Sequence, residues 1–252
     1  MPSTIAQRRY QVSRLARAHA DRSPWDLTVH DLTAYLAAHD NWGREMLRSN
    51  RAAARSFFGW AHAAGLTDHD PSRLLRKVPA VRGVPRPAPE IVIDSALRRA
   101  DERVGLMIIL GSRYGLRRGE ISRVSTRDLR VDPDGQWSLV VRGKGDKDRV
   151  VPLLPDVATV IRDAPPGWLF PSLRPQDKGR PISPAWAGKL IRRALTDATA
   201  HQLRHRFASR SYQATGDIRA VQELLGHASV ATTQRYTAVA DGALRAAVLA
   251  AS

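Results

Sequence analysis

The stretch PAVRGVPRPAPE, residues 79–90, separates what can come before it from what can come after. Its prolines lack the N–H that a helix interior or a central strand needs, and each pushes the preceding residue out of the α region. A chain of 252 residues with such a break is expected to form two modest domains. They are placed at residues 1–78 and 90–252, with an extended linker over 79–89.

The front part reads as helical. QRRYQVSRLARAHA puts Val12, Leu15 and Ala16 on one side. TVHDLTAYLAAHD opens with Thr28 and Asp31 at capping-box spacing, followed by Leu32, Tyr35 and Leu36 at helical intervals. REMLRSNRAAARSFFGWAHAAG is a long helix with Gly65 as its stop, and Asp70-Pro71 reads as a restart.

The second part is mixed. Residues 90–114 read as two helices. QWSLVVRG and DRVVPLL read as strands joined by a hairpin at KGDK. Further helices are expected near 156–162, 184–195, 201–213, 217–224 and 229–236, with Asp217 and Ser229 as N-caps. The fold class is therefore mainly α with a small β-sheet (α+β).

Charge narrows the partner. Lys and Arg number 40 against 24 Asp and Glu, a formal net charge of +16. Both parts share the excess, which favours a polyanion, nucleic acid first, over a basic surface kept for solubility. Arg44, Arg48, Arg51 and Arg55 recur every three or four residues and share a helix face, either solvated or tracking phosphates. Arg82 and Arg86 give the linker charge of its own. The absence of cysteine excludes disulfides and thiol chemistry. The N-terminus has no apolar core of a secretory signal, and RVGLMIILGS is too short to span a membrane. A cytoplasmic protein on the bacterial nucleoid, or in a phage-infected host cell, is expected.

Four segments carry candidate chemistry. In YGLRRGEIS, Arg117 follows Gly115 at the end of an apolar helix, where a guanidinium forks two N–H groups onto one phosphate. In RGKGDKDRVVPL, Lys144 lies between two glycines at a hairpin tip. It is either a solvated turn lysine or a general acid. In HQLRHRFASR, His201 and Arg204 lie on one helical face with His205 beside them. Arginines all round suit an anion better than a metal. In LGHASVATTQRYTAV, His227 and Tyr236 flank a loop and a helix. A tyrosine with a pKa of roughly 10 becomes a usable nucleophile when positive charge lowers it.

These boxes, in this order, resemble the tyrosine recombinases, or phage integrase family, over roughly residues 90–240. The resemblance implies a helical core-binding domain in front of a catalytic domain, the two closing as a C-shaped clamp around DNA. It implies that Arg117 and Arg204 hold the scissile phosphate, that Lys144 protonates the leaving 5′-oxygen, and that His201 accepts the tyrosine proton. His227 would hydrogen-bond the phosphate, Tyr236 would form a 3′-phosphotyrosyl link, and Glu120 would support the site. No metal and no cofactor are implied.

The implied partner is double-stranded DNA with core-type inverted-repeat sites. The protein would be a monomer free in solution and a homotetramer on two sites, exchanging strands through a Holliday junction. An accessory bending or directionality factor is compatible with this. An extra N-terminal domain for arm-type sites is not expected, and ADGALRAAVLAAS is a candidate tail for docking on a neighbouring protomer or for marking the chain for proteolysis. The role expected is integration or excision of a phage or mobile element. The alternatives are a non-catalytic sequence-specific DNA-binding regulator and a type IB topoisomerase-like relaxing activity.

Overall fold

A computed structural model describes residues 2–79, 86–143, 148–196 and 198–226. The chain divides into two compact units, Met1–Gly83 and Val84–Ser252.

The first unit is helical among its described residues: α1 (Pro2–Ala18), α2 (Val29–Ala37) and α3 (Arg44–Ala63). Thr28 caps α2 as the spacing predicts. Its hydroxyl accepts the Asp31 N–H while the Asp31 carboxylate accepts the Thr28 N–H at 2.8 Å. Helix α3 ends as expected, two residues before Gly65, which takes φ +70°. Leu15, Leu27, Leu32, Tyr35, Ala54, Phe58 and Leu75 form the core.

Two expectations fail here. Ala16 is exposed, and the buried stripe of α1 runs instead through Gln11 and Leu15. The apolar pattern missed this because a polar residue is inside: Gln11 donates to the Ser49 hydroxyl of α3 at 2.8 Å. Asp70-Pro71 starts no helix. The Asp70 carboxylate accepts from the backbone N–H and the hydroxyl of Ser72, which closes a local turn.

In the second unit Ala88 is already buried, and its N–H donates to the Gln202 carbonyl at 3.1 Å. Then come α4 (Glu90–Arg99), α5 (Glu102–Ser112) and the short α6 (Arg118–Ile121). A three-stranded antiparallel meander follows: β1 (Leu129–Val131), β2 (Trp137–Arg142) and β3 (Asp148–Leu153), in that order across the sheet. Helices α7 (Pro155–Asp163), α8 (Pro184–Ala194), α9 (Ala200–Thr215) and α10 (Ile218–Leu225) complete the described elements.

Strands β2 and β3 are those expected, paired with Leu139 opposite Val151. Strand β1 is additional. It has three residues, too few to show alternation, and the turn at Asp132–Gly135, with Gly135 at φ +75°, folds it onto β2. The expected helices at α7 to α10 are present, and Asp217 caps α10 by accepting two backbone N–H groups. The helix expected at 229–236, with its Ser229 cap, lies outside the described residues. Helices α5, α8 and α9 pack around a core that includes Met107, Ile108, Leu110, Leu116, Ile191 and Leu203. Among the described residues no helix is long and apolar enough to cross a membrane.

Candidate active site

Glu120 is the hub of the site. It lies in α6 with its side chain 5% exposed, and three arginines from three elements approach it. Arg117 donates to it twice, from the backbone N–H and from Nη1, both at 2.8 Å. Arg149 of β3 makes a bidentate pair with the same carboxylate, at 3.0 and 2.8 Å. Arg204 of α9 brings Nη1 to 3.9 Å. Burial by itself would raise the Glu120 pKa. The hydrogen bonds and charge of Arg149, and then the donors of Arg117, override it and hold the carboxyl at about 2.

The local fold delivers these groups. Gly115 at φ +68° turns the chain after α5. A Cβ there would lie 2.4 Å from a ring carbon of Phe207, so the turn has room only for glycine. The Gly115 carbonyl then faces α9 and accepts from Nη1 of Arg204, while Nη2 of Arg204 donates to the carbonyl of Leu225. Arg204 is thus completely buried with hydrogen bonds on both arms of its fork. Arg117 remains partly exposed and also donates to the Leu225 carbonyl, at 3.3 Å.

Helix α9 is anchored from outside. Arg206 forms a bidentate pair with Glu90 at 2.8 and 2.7 Å and donates to the Ser112 carbonyl, and Arg210 also reaches Glu90. Thr199 and Gln202 cap its start reciprocally. His201 sits in the first turn, its ring edge-on to His205 at 4.2 Å between centroids. Partial desolvation, then the charges of Arg204 and Arg117, push its pKa below the usual histidine value.

The sequence profile of the phage integrase family matches residues 91–242. The chain is 36% identical to tyrosine recombinase XerC of Rhodospirillum centenum, over 88% of this chain and 72% of that protein. It is 30% identical to tyrosine recombinase XerD of Caulobacter vibrioides, over 89% and 82%. The fold is like that of a XerH site-specific recombinase bound to a palindromic difH substrate, with a TM-score of 0.74 at 20% identity, over 97% of this chain and 78% of that one.

The chain belongs to the phage integrase family. Its activity is that of a tyrosine recombinase, the site-specific breakage and rejoining of DNA strands.

Of the recombinase residues singled out in the sequence, Arg117, Glu120, His201 and Arg204 are described, and they stand together. Lys144, His227 and Tyr236 lie outside the described residues. Strand β3 begins four residues after Lys144, and α10 ends two residues before His227. In the first unit Arg44 and Arg55 are exposed, and Arg48 pairs with Glu45 at 2.6 Å. Arg51 is half-buried and gives two N–H groups to the Leu75 carbonyl, so its guanidinium holds the fold. Arg86 is exposed, and Arg82 lies outside the described residues.

Sequence reasoning missed Arg149. The signal was there: Arg149, Val151 and Leu153 alternate on the inward side of β3, and an arginine on that side requires a buried acid. Among the described residues no three His, Cys, Asp or Glu side chains gather as a metal site would need.

Proposed function

We propose that this recombinase cleaves duplex DNA through Tyr236 and passes strands between two inverted-repeat core sites. The Tyr236 oxygen attacks the scissile phosphorus and the 5′-oxygen leaves, giving a 3′-phosphotyrosyl bond that conserves the energy needed for rejoining. His201 takes the phenol proton and Lys144 gives a proton to the leaving oxygen. Arg117 and Arg204 neutralise the non-bridging oxygens, with His227 hydrogen-bonded to the phosphate and Glu120 supporting the arginines.

The observation that carries this reading is that Arg117 and Arg204 both donate to the Leu225 carbonyl oxygen. The Leu225 carbonyl brings two guanidiniums to one point, and a phosphate oxygen held by both would take that carbonyl's place. The lowered pKa of His201 supports its part, because a proton acceptor has to be neutral near pH 7.

Residues 1–78 serve as the core-binding domain and 90–252 as the catalytic domain, joined by the 79–89 linker. Double-stranded DNA is the partner, and four protomers assemble on two sites. Of the four α3 arginines on the shared face, Arg44 and Arg55 are the best placed for phosphates, being exposed. Integration or excision of a phage or mobile element is the role proposed.

The test is covalent capture. Purified protein is mixed with nicked genomic fragments in EDTA and quenched with SDS, and protein-linked DNA is sequenced beside a Tyr236→Phe control. Adducts from wild type alone, clustered at one inverted repeat, are expected. Adducts that persist in Tyr236→Phe would mean another nucleophile. Tight binding without any adduct would favour the regulator.

A further inference from the structure

Arg149 is held at all three of its hydrogen-bonding nitrogens. Nη1 and Nη2 take the two oxygens of Glu120, and Nε donates to the Leu224 carbonyl at 2.7 Å. All three nitrogens are engaged within the protein, and the side chain is 7% exposed. What it controls is Glu120. A carboxylate can take both arms of one guanidinium, and Arg149 fills that role. Arg117 is left with a single arm on the carboxylate: its Nη1 is shared between Glu120 and the Leu225 carbonyl, and its Nη2 turns to the Gly226 carbonyl.

We propose that Arg149 is a positioning residue for strand cleavage, satisfying Glu120 so that Arg117 stays aimed at the scissile phosphate. This rests on the tyrosine-recombinase chemistry proposed above. One carboxylate among three guanidiniums leaves two positive charges in surplus, and the phosphodiester acquires a second negative charge as it is attacked. Without Arg149 the buried carboxylate pulls Arg117 into its own bidentate pair, and the surplus falls to one. The Nε bond to Leu224 adds a second effect: it fixes the end of α10, whose next carbonyl is the one both clamp arginines meet.

The test uses the DNA site recovered by capture, made with an ordinary scissile phosphate or with an uncharged methylphosphonate there. Single-turnover cleavage is measured for wild type, Arg149→Gln and the double variant Glu120→Gln/Arg149→Gln. Arg149→Gln is expected to slow cleavage of the phosphate by about 100-fold, but of the methylphosphonate by less than about 3-fold, with DNA affinity little changed. The double variant removes the competing carboxylate and should recover at least about 10-fold of the loss.

Equal losses on both substrates, or a double variant no better than the single, would make Arg149 a mere strut and overturn the proposal. Should Arg149→Gln fail to fold, Arg149→Lys retains the charge with a poorer fork. It should show a smaller loss, again confined to the charged substrate, and an equal loss on both would again overturn it. A wild-type protein that forms no adduct is a separate failure: it defeats the tyrosine chemistry, and this inference with it.

Discussion

Arg117 and Arg204 donate to the same atom, the carbonyl oxygen of Leu225, at 3.3 and 2.5 Å. Their guanidiniums are oriented by protein groups before any DNA arrives, so little of the binding energy goes into arranging them. The fork of Arg204 also spans two carbonyls, which a single ammonium cannot match. Arg204→Lys is therefore expected to lower the cleavage rate by about 10²–10³ while keeping the formal charge. Single-turnover adduct formation on the captured site measures this.

Glu120 makes stability depend on pH. Its folded pKa of about 2 lies below the ordinary carboxyl value of 4.5, so the folded state favours the ionised form. That stabilisation is fully present above about pH 4.5 and is lost as pH falls through the folded value, amounting to about 3 kcal/mol. Urea unfolding of wild type and Glu120→Gln, followed from pH 7 to pH 3, should show their difference shrinking below pH 4.5.

His201 shifts in the direction that helps a base. Desolvation and the charges of Arg204 and Arg117 keep it neutral to lower pH than a free histidine. The acidic limb of kcat/KM for cleavage should have its midpoint below about 6.5. A rate profile from pH 5 to 8 measures it. His201→Gln should flatten that limb and slow cleavage by about 10²–10⁴.

Gly115→Ala should damage both folding and the clamp. The left-handed backbone alone costs an alanine roughly 1–3 kcal/mol, and its Cβ would meet the Phe207 ring at 2.4 Å. The carbonyl that holds Arg204 moves with it. A lowered melting temperature together with slower cleavage is expected. An unchanged melting temperature would refute the steric account.

The arginines of α3 should separate by function. Arg55 is exposed, and Arg55→Ala should weaken DNA binding and reduce the slope of log K against log salt by about 0.9. Arg51 holds the Leu75 carbonyl, and Arg51→Ala should lower stability and leave that slope unchanged. Binding titrations at several salt concentrations, beside thermal melts, distinguish the two.

Much of this was legible from local rules. Thr28 with Asp31, Gly65, and Asp217 mark helix ends by donor and acceptor chemistry that acts within a few residues, and each acts as read. The order of the boxes was enough to bring Arg117, Glu120, His201 and Arg204 together. What failed depended on partners far along the chain. Gln11 is buried because Ser49 is there to receive it, and β1 exists because β2 pairs with it. Arg149 was overlooked because its strand was read for propensity and not face by face, while its partner Glu120 lies 29 residues away.

The hydrogen bond from Arg117 to Leu225 closes a loop of 108 residues. Contacts of that span carry a large closure entropy and form late in folding. A nascent chain that has reached Arg204 has both charges of the clamp but not the carbonyl that gathers them. The clamp is therefore a product of the finished tertiary structure and not of any one segment.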